Sequence, residues 1–245
     1  MGSKREKSQS RKLIVERRML FSCTVMIGLC VILWIVAIST DWWFIISGGP
    51  NGIYVNETKR LFRHSHSGIW RICRTSYGPV TPGTGPAREK YFCRIHAMFP
   101  NDTVIRTDPS IDKTIVNYNR SEASFSIISL VLMIMGLTFS TYTFRNPRYM
   151  FKRLAGVLHF ISGGSVLAVI EVLINSITYE QNHLPFTFPP GATYSYGFSI
   201  VLAWLVFVML LVSGCVFLIY SRKRKGSKAP NDEIAMADEP TIIGR

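Results

Sequence analysis

Three groups of residues in this 245-residue chain have side chains that could do chemistry. His64, His66 and His96 carry imidazoles, a common metal ligand. The His-Ser-His alternation brings no acidic or cysteine partner at ligand spacing, so it predicts solvated loop histidines rather than a metal site. Glu171 is the one charge inside a long apolar run, 154–178. A charged group near the centre of a bilayer costs at least about 2.5–3.5 kcal/mol, so it must face protein or water. It can meet a partner within the membrane, bond to a neighbouring helix through His159, Asn175 or a serine, or belong to a proton or ion pathway, although a single acid makes a poor pathway. Cys73 and Cys93 are the only cysteines between residues 41 and 122, which leaves them one connectivity in an oxidising compartment. Closing that segment is worth about 3 kcal/mol on the chain-entropy account. No nucleophile elbow, phosphate loop or metal-binding helix motif occurs. The expectation is therefore no enzyme, no cofactor and no metal.

The elements that position these residues follow from how apolarity and charge are distributed. Hydrophobic residues make up 48% of the chain, yet the formal net charge is +13. A globular domain mixes these characters; here they are segregated. Runs at 19–40, 123–144, 154–178 and 194–220 hold no charge other than Glu171. At about 1.5 Å per residue each can cross a hydrocarbon core of about 30 Å. The first run is too long for a signal peptide and reads as a retained helix. Basic clusters lie before the first span (1–18), between the second and third (145–153) and after the fourth (Arg222 to Lys225, opening a polar tail 221–245). All fall on one side of a four-span topology, and the positive-inside rule makes that side cytoplasmic. The basic residues thus serve as topology anchors, with an anionic lipid surface as partner and no nucleic acid.

The segments 41–122 and 179–193 are then extracellular. The first holds three glycosylation sequons, at Asn56, Asn101 and Asn119, and none lies elsewhere. It carries eleven basic and six acidic residues over 41–121. Its β-branched and aromatic stretches predict strands at 42–46, 53–56, 67–75 and 89–96, with a turn cluster at 48–52 and a Pro/Gly loop at 77–86. A Cys73–Cys93 disulfide would staple neighbouring strands of a small antiparallel sheet seated on the helices. In the third span Gly156, Gly163, Gly164 and Ala168 form a small-residue face suited to close packing, within the bundle or against a partner.

Gly68-Ile69-Trp70-Arg71-Ile72-Cys73, with Cys93 downstream, resembles the claudin superfamily signature of Gly-Leu-Trp followed by two loop cysteines. His66-Ser67-Gly68-Ile69-Trp70-Arg71 is similar to the His-Ser-Gly-Leu-Trp-Arg of stargazin-like proteins, the transmembrane AMPA-receptor regulatory proteins and voltage-dependent calcium channel gamma subunits. His96 to Asp102 resembles their segment after the second cysteine, and Tyr194-Ser195-Tyr196-Gly197-Phe198-Ser199 the start of their fourth span. The resemblance covers most of residues 20–220. Arg74 stands where many relatives have a second adjacent cysteine, so one of their two loop disulfides is absent. The chain ends Ile242-Ile243-Gly244-Arg245, without the hydrophobic residue a PDZ groove needs.

The resemblance implies a claudin-like membrane α-helical fold: a four-helix transmembrane bundle under a five-stranded extracellular antiparallel sheet. It implies that Gly68, Ile69 and Trp70 are signature positions, with Trp70, Cys73 and Cys93 the structural core of the loop. Glu171 is similar to a third-span acid of the skeletal-muscle calcium-channel gamma type, and with Gly164 and Ala168 it marks a membrane partner contact. The function implied first is a non-pore auxiliary subunit acting on trafficking and gating of an AMPA-type glutamate receptor, at a plasma membrane and in a postsynaptic setting. A voltage-gated calcium channel gamma subunit is the alternative, and a claudin-like adhesion or barrier protein a further one.

Overall fold

In hydrocarbon the backbone can satisfy its polar groups only within a helix or a closed barrel, so the apolar runs must be helical. The computed structural model describes residues 2–56, 59–78, 89–101, 103, 107, 112–146 and 148–221, with side chains from residue 11 onward. The runs lie within α1 (Gly2–Ser39), α2 (Lys113–Arg145), α3 (Tyr149–His183) and α4 (Phe198–Ile219). All four helices are long and apolar enough to cross a membrane. α3 lies beside α2 and α4, and α1 closes the bundle against both. Most of the Pro/Gly loop and the cluster that opens at Arg222 lie outside the described residues.

The sheet comprises β1 (Phe44–Ser47), β2 (Ile53–Val55), β3 (Arg60–Ser67), β4 (Arg71–Tyr77), β5 (Glu89–Ile95) and β6 (Thr193–Tyr196). Pairing is antiparallel throughout, in the order β5-β4-β3-β1-β6, with β2 also on β3. Three expectations change here. The single strand at 67–75 is cut by the turn at 68–70, which separates β3 from β4. β3 itself was hidden by polar composition, although Phe62, Ser65 and His66 are buried. The helix of the fourth apolar run starts at Phe198 rather than 194, because Thr193–Tyr196 pairs with β1 and makes a sixth strand. Hydropathy scores tyrosines without regard to the backbone that carries them.

The sheet stands on one end of the bundle and shares its core. Trp34 of α1 is fully buried edge-on to Trp43, ring centroids 6.1 Å apart, and donates to Ser126 O of α2. Lower in the bundle His159 of α3 is fully buried and lies 2.9 Å from Ser140 Oγ of α2. A Cβ at Gly136 would fall 2.7 Å from that imidazole, which explains the glycine. α3 and α4 approach closely where Gly156 faces Gly214. At the far end Lys152 Nζ bonds Glu16 Oε1 at 2.6 Å and ties α3 to α1.

Candidate partner-binding site

The Gly68-Ile69-Trp70 turn is a clamp on the end of α1. The last carbonyls of a helix have no intrahelical donors. Trp43 Nε1 donates to Ala37 O at 2.8 Å, and Trp70 Nε1 to Ile38 O at 2.7 Å. Ile69 is fully buried beneath the sheet. Gly68 lies so close to the chain after α1 that a Cβ would stand 2.5 Å from Thr40 O and 2.7 Å from Asp41 Cα. Arg71 pairs with Asp41 across the same seam. On the other side Gly197 fits against the backbone of Trp42, and Ser199 Oγ lies 2.7 Å from Thr40 Oγ1. Cys73 and Cys93 face each other across β4 and β5 and form the disulfide.

The histidines correct an expectation: they are structural, not solvated loop groups. His66 is buried, stacked on Trp42 at 4.4 Å, with Nδ1 3.0 Å from Asp41 O. His64 Nε2 lies 3.2 Å from Thr75 Oγ1. His96 Nε2 reaches Gly68 O at 3.1 Å and Ser67 Oγ at 3.2 Å, which fastens the signature turn. Burial pushes His96 down to about 4, against a smaller opposing effect of its bond to Gly68. Asp41, His66 and Cys73 bring ligand atoms within 4.8 Å of one another. They do not make a metal centre, because the Cys73 sulfur is in the disulfide and Asp41 is paired with Arg71.

Between sheet and bundle lies a set of buried charges that composition did not reveal. Arg74 of β4 donates from Nη2 to Phe186 O at 2.6 Å and Thr187 O at 2.9 Å, which fixes the loop after α3. Its guanidinium sits over the Phe62 ring at 4.7 Å and the Phe186 ring at 5.4 Å. Burial first, then neighbouring Arg94, pulls it down to about 10, and the field of Glu180 opposes this. Glu122 of α2 and Glu180 of α3 are almost completely buried, at 3% and 6% exposure. Among the described residues neither Glu122 Oε1 nor Glu180 Oε2 meets a hydrogen-bond donor. Both acids looked like loop residues because they lie just beyond the apolar runs. Helical spacing continued outward from those runs was the available signal.

Of the sequons, Asn56 and Asn101 are exposed. Asn119 is not: it lies inside α2 at 6% exposure, which leaves no access for a glycan on the folded chain.

The small-residue face of α3 divides in two. Gly156 and Gly163 turn toward α4. Gly164 meets nothing within 4 Å and is exposed on the outside of the bundle, with half-buried Ala168 and exposed Glu171 and Asn175. Spacings of four, three and four keep these residues on one helical face. Among the described residues Glu171 makes no side-chain bond to His159, which is engaged by Ser140, and Asn175 Nδ2 donates to the Glu171 carbonyl at 2.7 Å. The stripe sets small residues beside an acid on the exposed face of α3. The in-bundle hydrogen bond expected as one reading of Glu171 is replaced by outward display.

A sequence model of the PMP-22/EMP/MP20/claudin tight junction family matches residues 28–219, from within α1 to the end of α4. The chain belongs to this family. It is also similar to the voltage-dependent calcium channel gamma-1 subunit of Sus scrofa, with 27% identity over 205 residues, 79% of this chain and 84% of that one. The gamma-5 subunit of Homo sapiens shares 24% identity over 190 residues, 77% of this chain and 65% of its own length. The human gamma-7 subunit shares 25% over 202 residues, 80% and 68%. The claudin-family fold accounts for the four spans, the antiparallel sheet and the clamp, and its members are structural or channel-associated membrane proteins, not enzymes. The chain is a multi-pass membrane protein of this kind.

Proposed function

We propose that this chain is a non-pore auxiliary subunit of a voltage-gated calcium channel, seated at the plasma membrane with both termini cytoplasmic and the sheet outside. The observation that carries the reading is the outward stripe Gly164, Ala168, Glu171 and Asn175 on α3. A carboxylate about 10 Å inside the apolar end of a span, counted at about 1.5 Å per residue from Thr178, is costly against lipid and favourable against a polar group on another membrane helix. Small residues beside it let that helix approach closely. The names of the similar proteins favour a calcium channel as the source of that helix over the AMPA-type receptor expected first from the motifs. Asn56 and Asn101 are the glycan positions on this topology.

Co-expression with a calcium-channel pore subunit tests the reading. The wild type should co-purify with the pore and change the amplitude or inactivation of its current. Gly164→Leu and Glu171→Leu should lose both effects while reaching the surface. A second arm measures desensitisation of AMPA-type receptors, the alternative partner. The auxiliary-subunit reading falls if neither current changes and the protein collects at cell–cell contacts, as an adhesion protein would.

A further inference from the structure

A groove of about 340 Å³ opens on one face of the sheet, beside the loop that follows α3. Strand alternation builds it: Lys90, Phe92 and Arg94 project from β5, opposite Ser76, Arg74 and Ile72 of β4. Arg60 and Phe62 of β3 continue the same surface, and Phe186 closes one wall. Four cations thus border an apolar floor, and among the described residues no carboxylate lines it. Such a surface is built for an anion with an apolar body. The groove is bordered by β5, the terminal strand of the sheet, which among the described residues pairs only with β4. That strand is exposed along nearly its whole length, with Phe92 at 55%. A terminal strand offers unpaired backbone donors and acceptors that an extended polypeptide can meet.

We propose that this groove receives a short extended acidic segment with an apolar side chain, supplied by the outer face of the channel partner. The identity of the partner rests on the function proposed above; the groove chemistry does not. A strand added to β5 places every second side chain over Lys90, Phe92 and Arg94, so the matching face reads acid, aromatic, acid. A lipid headgroup satisfies the cations but has no peptide backbone to pair with the β5 edge, which favours the polypeptide. Arg74 and Arg94 form the inner part of the cationic wall, and Arg60 and Lys90 the rim that meets the incoming charge first.

The probe is a fluorescein-labelled peptide, Glu-Thr-Phe-Thr-Asp-amide, titrated by anisotropy onto the protein in neutral phosphatidylcholine nanodiscs. Saturable binding is expected, weakening as salt rises. The neutral peptide Gln-Thr-Phe-Thr-Asn-amide should bind at least about tenfold more weakly, as should the acidic peptide on the R60E/K90E double variant. Both substituted residues are on the rim, and an unchanged unfolding midpoint confirms that the variant is folded. No saturable binding, equal binding of the neutral peptide, or equal binding by the variant overturns the proposal. So does tighter binding at this groove by soluble dihexanoyl phosphatidylserine, which would make the occupant a lipid. Co-purification of the wild type with the pore is scored separately. Co-purification without peptide binding removes the groove and keeps the channel reading; peptide binding without co-purification removes the channel as the source of the segment.

Discussion

Replacing Gly68 by alanine tests the clamp directly. The added methyl group would stand 2.5 Å from Thr40 O and 2.7 Å from Asp41 Cα, where ordinary contact begins at 3.4 Å. Both neighbours are backbone, so neither can rotate away. The turn must move off α1 by about 0.9 Å, the difference between 3.4 and 2.5 Å. Overpacking of this kind costs about 1–3 kcal/mol. The same movement stretches the 2.7 Å bond from Trp70 to Ile38, which adds about 1 kcal/mol. For a chain of this size each kcal/mol lowers the unfolding midpoint by about 2–4 °C. Gly68→Ala should therefore melt several degrees below wild type when followed by tryptophan fluorescence in detergent, with Trp43 and Trp70 as reporters. Gly164→Ala is the matched control: its Cβ meets nothing within 4 Å, and alanine is favoured over glycine within a helix by about 0.5–1 kcal/mol. The two substitutions should shift the midpoint in opposite directions. If Gly68→Ala unfolds within a degree or two of wild type, or if both shift alike, the close approach at the signature turn is not what holds sheet to bundle.

His96 stays neutral in the fold at about 4 and titrates near 6.5 when unfolded, so stability should fall as pH drops from about 6.5 towards 4, by up to about 3 kcal/mol. His96→Gln, which keeps a donor for Gly68 O, should flatten this slope in unfolding midpoints taken between pH 7 and 4.5. Removing the disulfide with Cys73→Ser and Cys93→Ser together should cost about 3 kcal/mol in the same assay. Arg74→Met should release the two carbonyls it holds and cost about 2–3 kcal/mol, visible as faster amide exchange over residues 184–192 than in wild type. On gels, Asn56→Gln and Asn101→Gln should each remove one glycan shift, and Asn119→Gln should remove none.

The sequence made the membrane part of this fold legible because one physical rule dominates it: no backbone polar group can be left open in hydrocarbon. Run length and charge therefore anticipated four helices long and apolar enough to cross a membrane. The sheet was harder. β3 carries Arg, His and Ser at most positions, and its inward face is held by hydrogen bonds and ring stacking that hydropathy does not register. β6 was absorbed into the fourth span because tyrosine suits both environments. Single residues fared unevenly for a related reason. Cys73 and Cys93 could be paired by counting, whereas Glu122, Glu180 and Arg74 become a cluster only when β4 is laid across the tops of α2 and α3. Glu171 was visible as an oddity, but its direction depends on the rotation of α3, which Gly156 and Gly163 fix by packing on α4.

α3 connects the two candidate contact surfaces. Its outward stripe includes Ala168 at membrane depth, and twelve residues on, about 18 Å at the helical rise, Glu180 lies behind Arg74 at the inner wall of the groove. The helix is continuous over that distance, so the spacing between the two surfaces is set by the fold rather than by a linker. A partner that seats a membrane helix on the stripe would hold its own outer segments near the groove at high effective concentration, and a weak acidic contact would then suffice. Lipid anions would not gain from that coupling, since they need no contact on the stripe. The consequence can be measured: in the intact channel complex Glu171→Leu and the R60E/K90E pair should each weaken association more in the wild-type background than after the other has been made. Two independent patches would give additive losses instead.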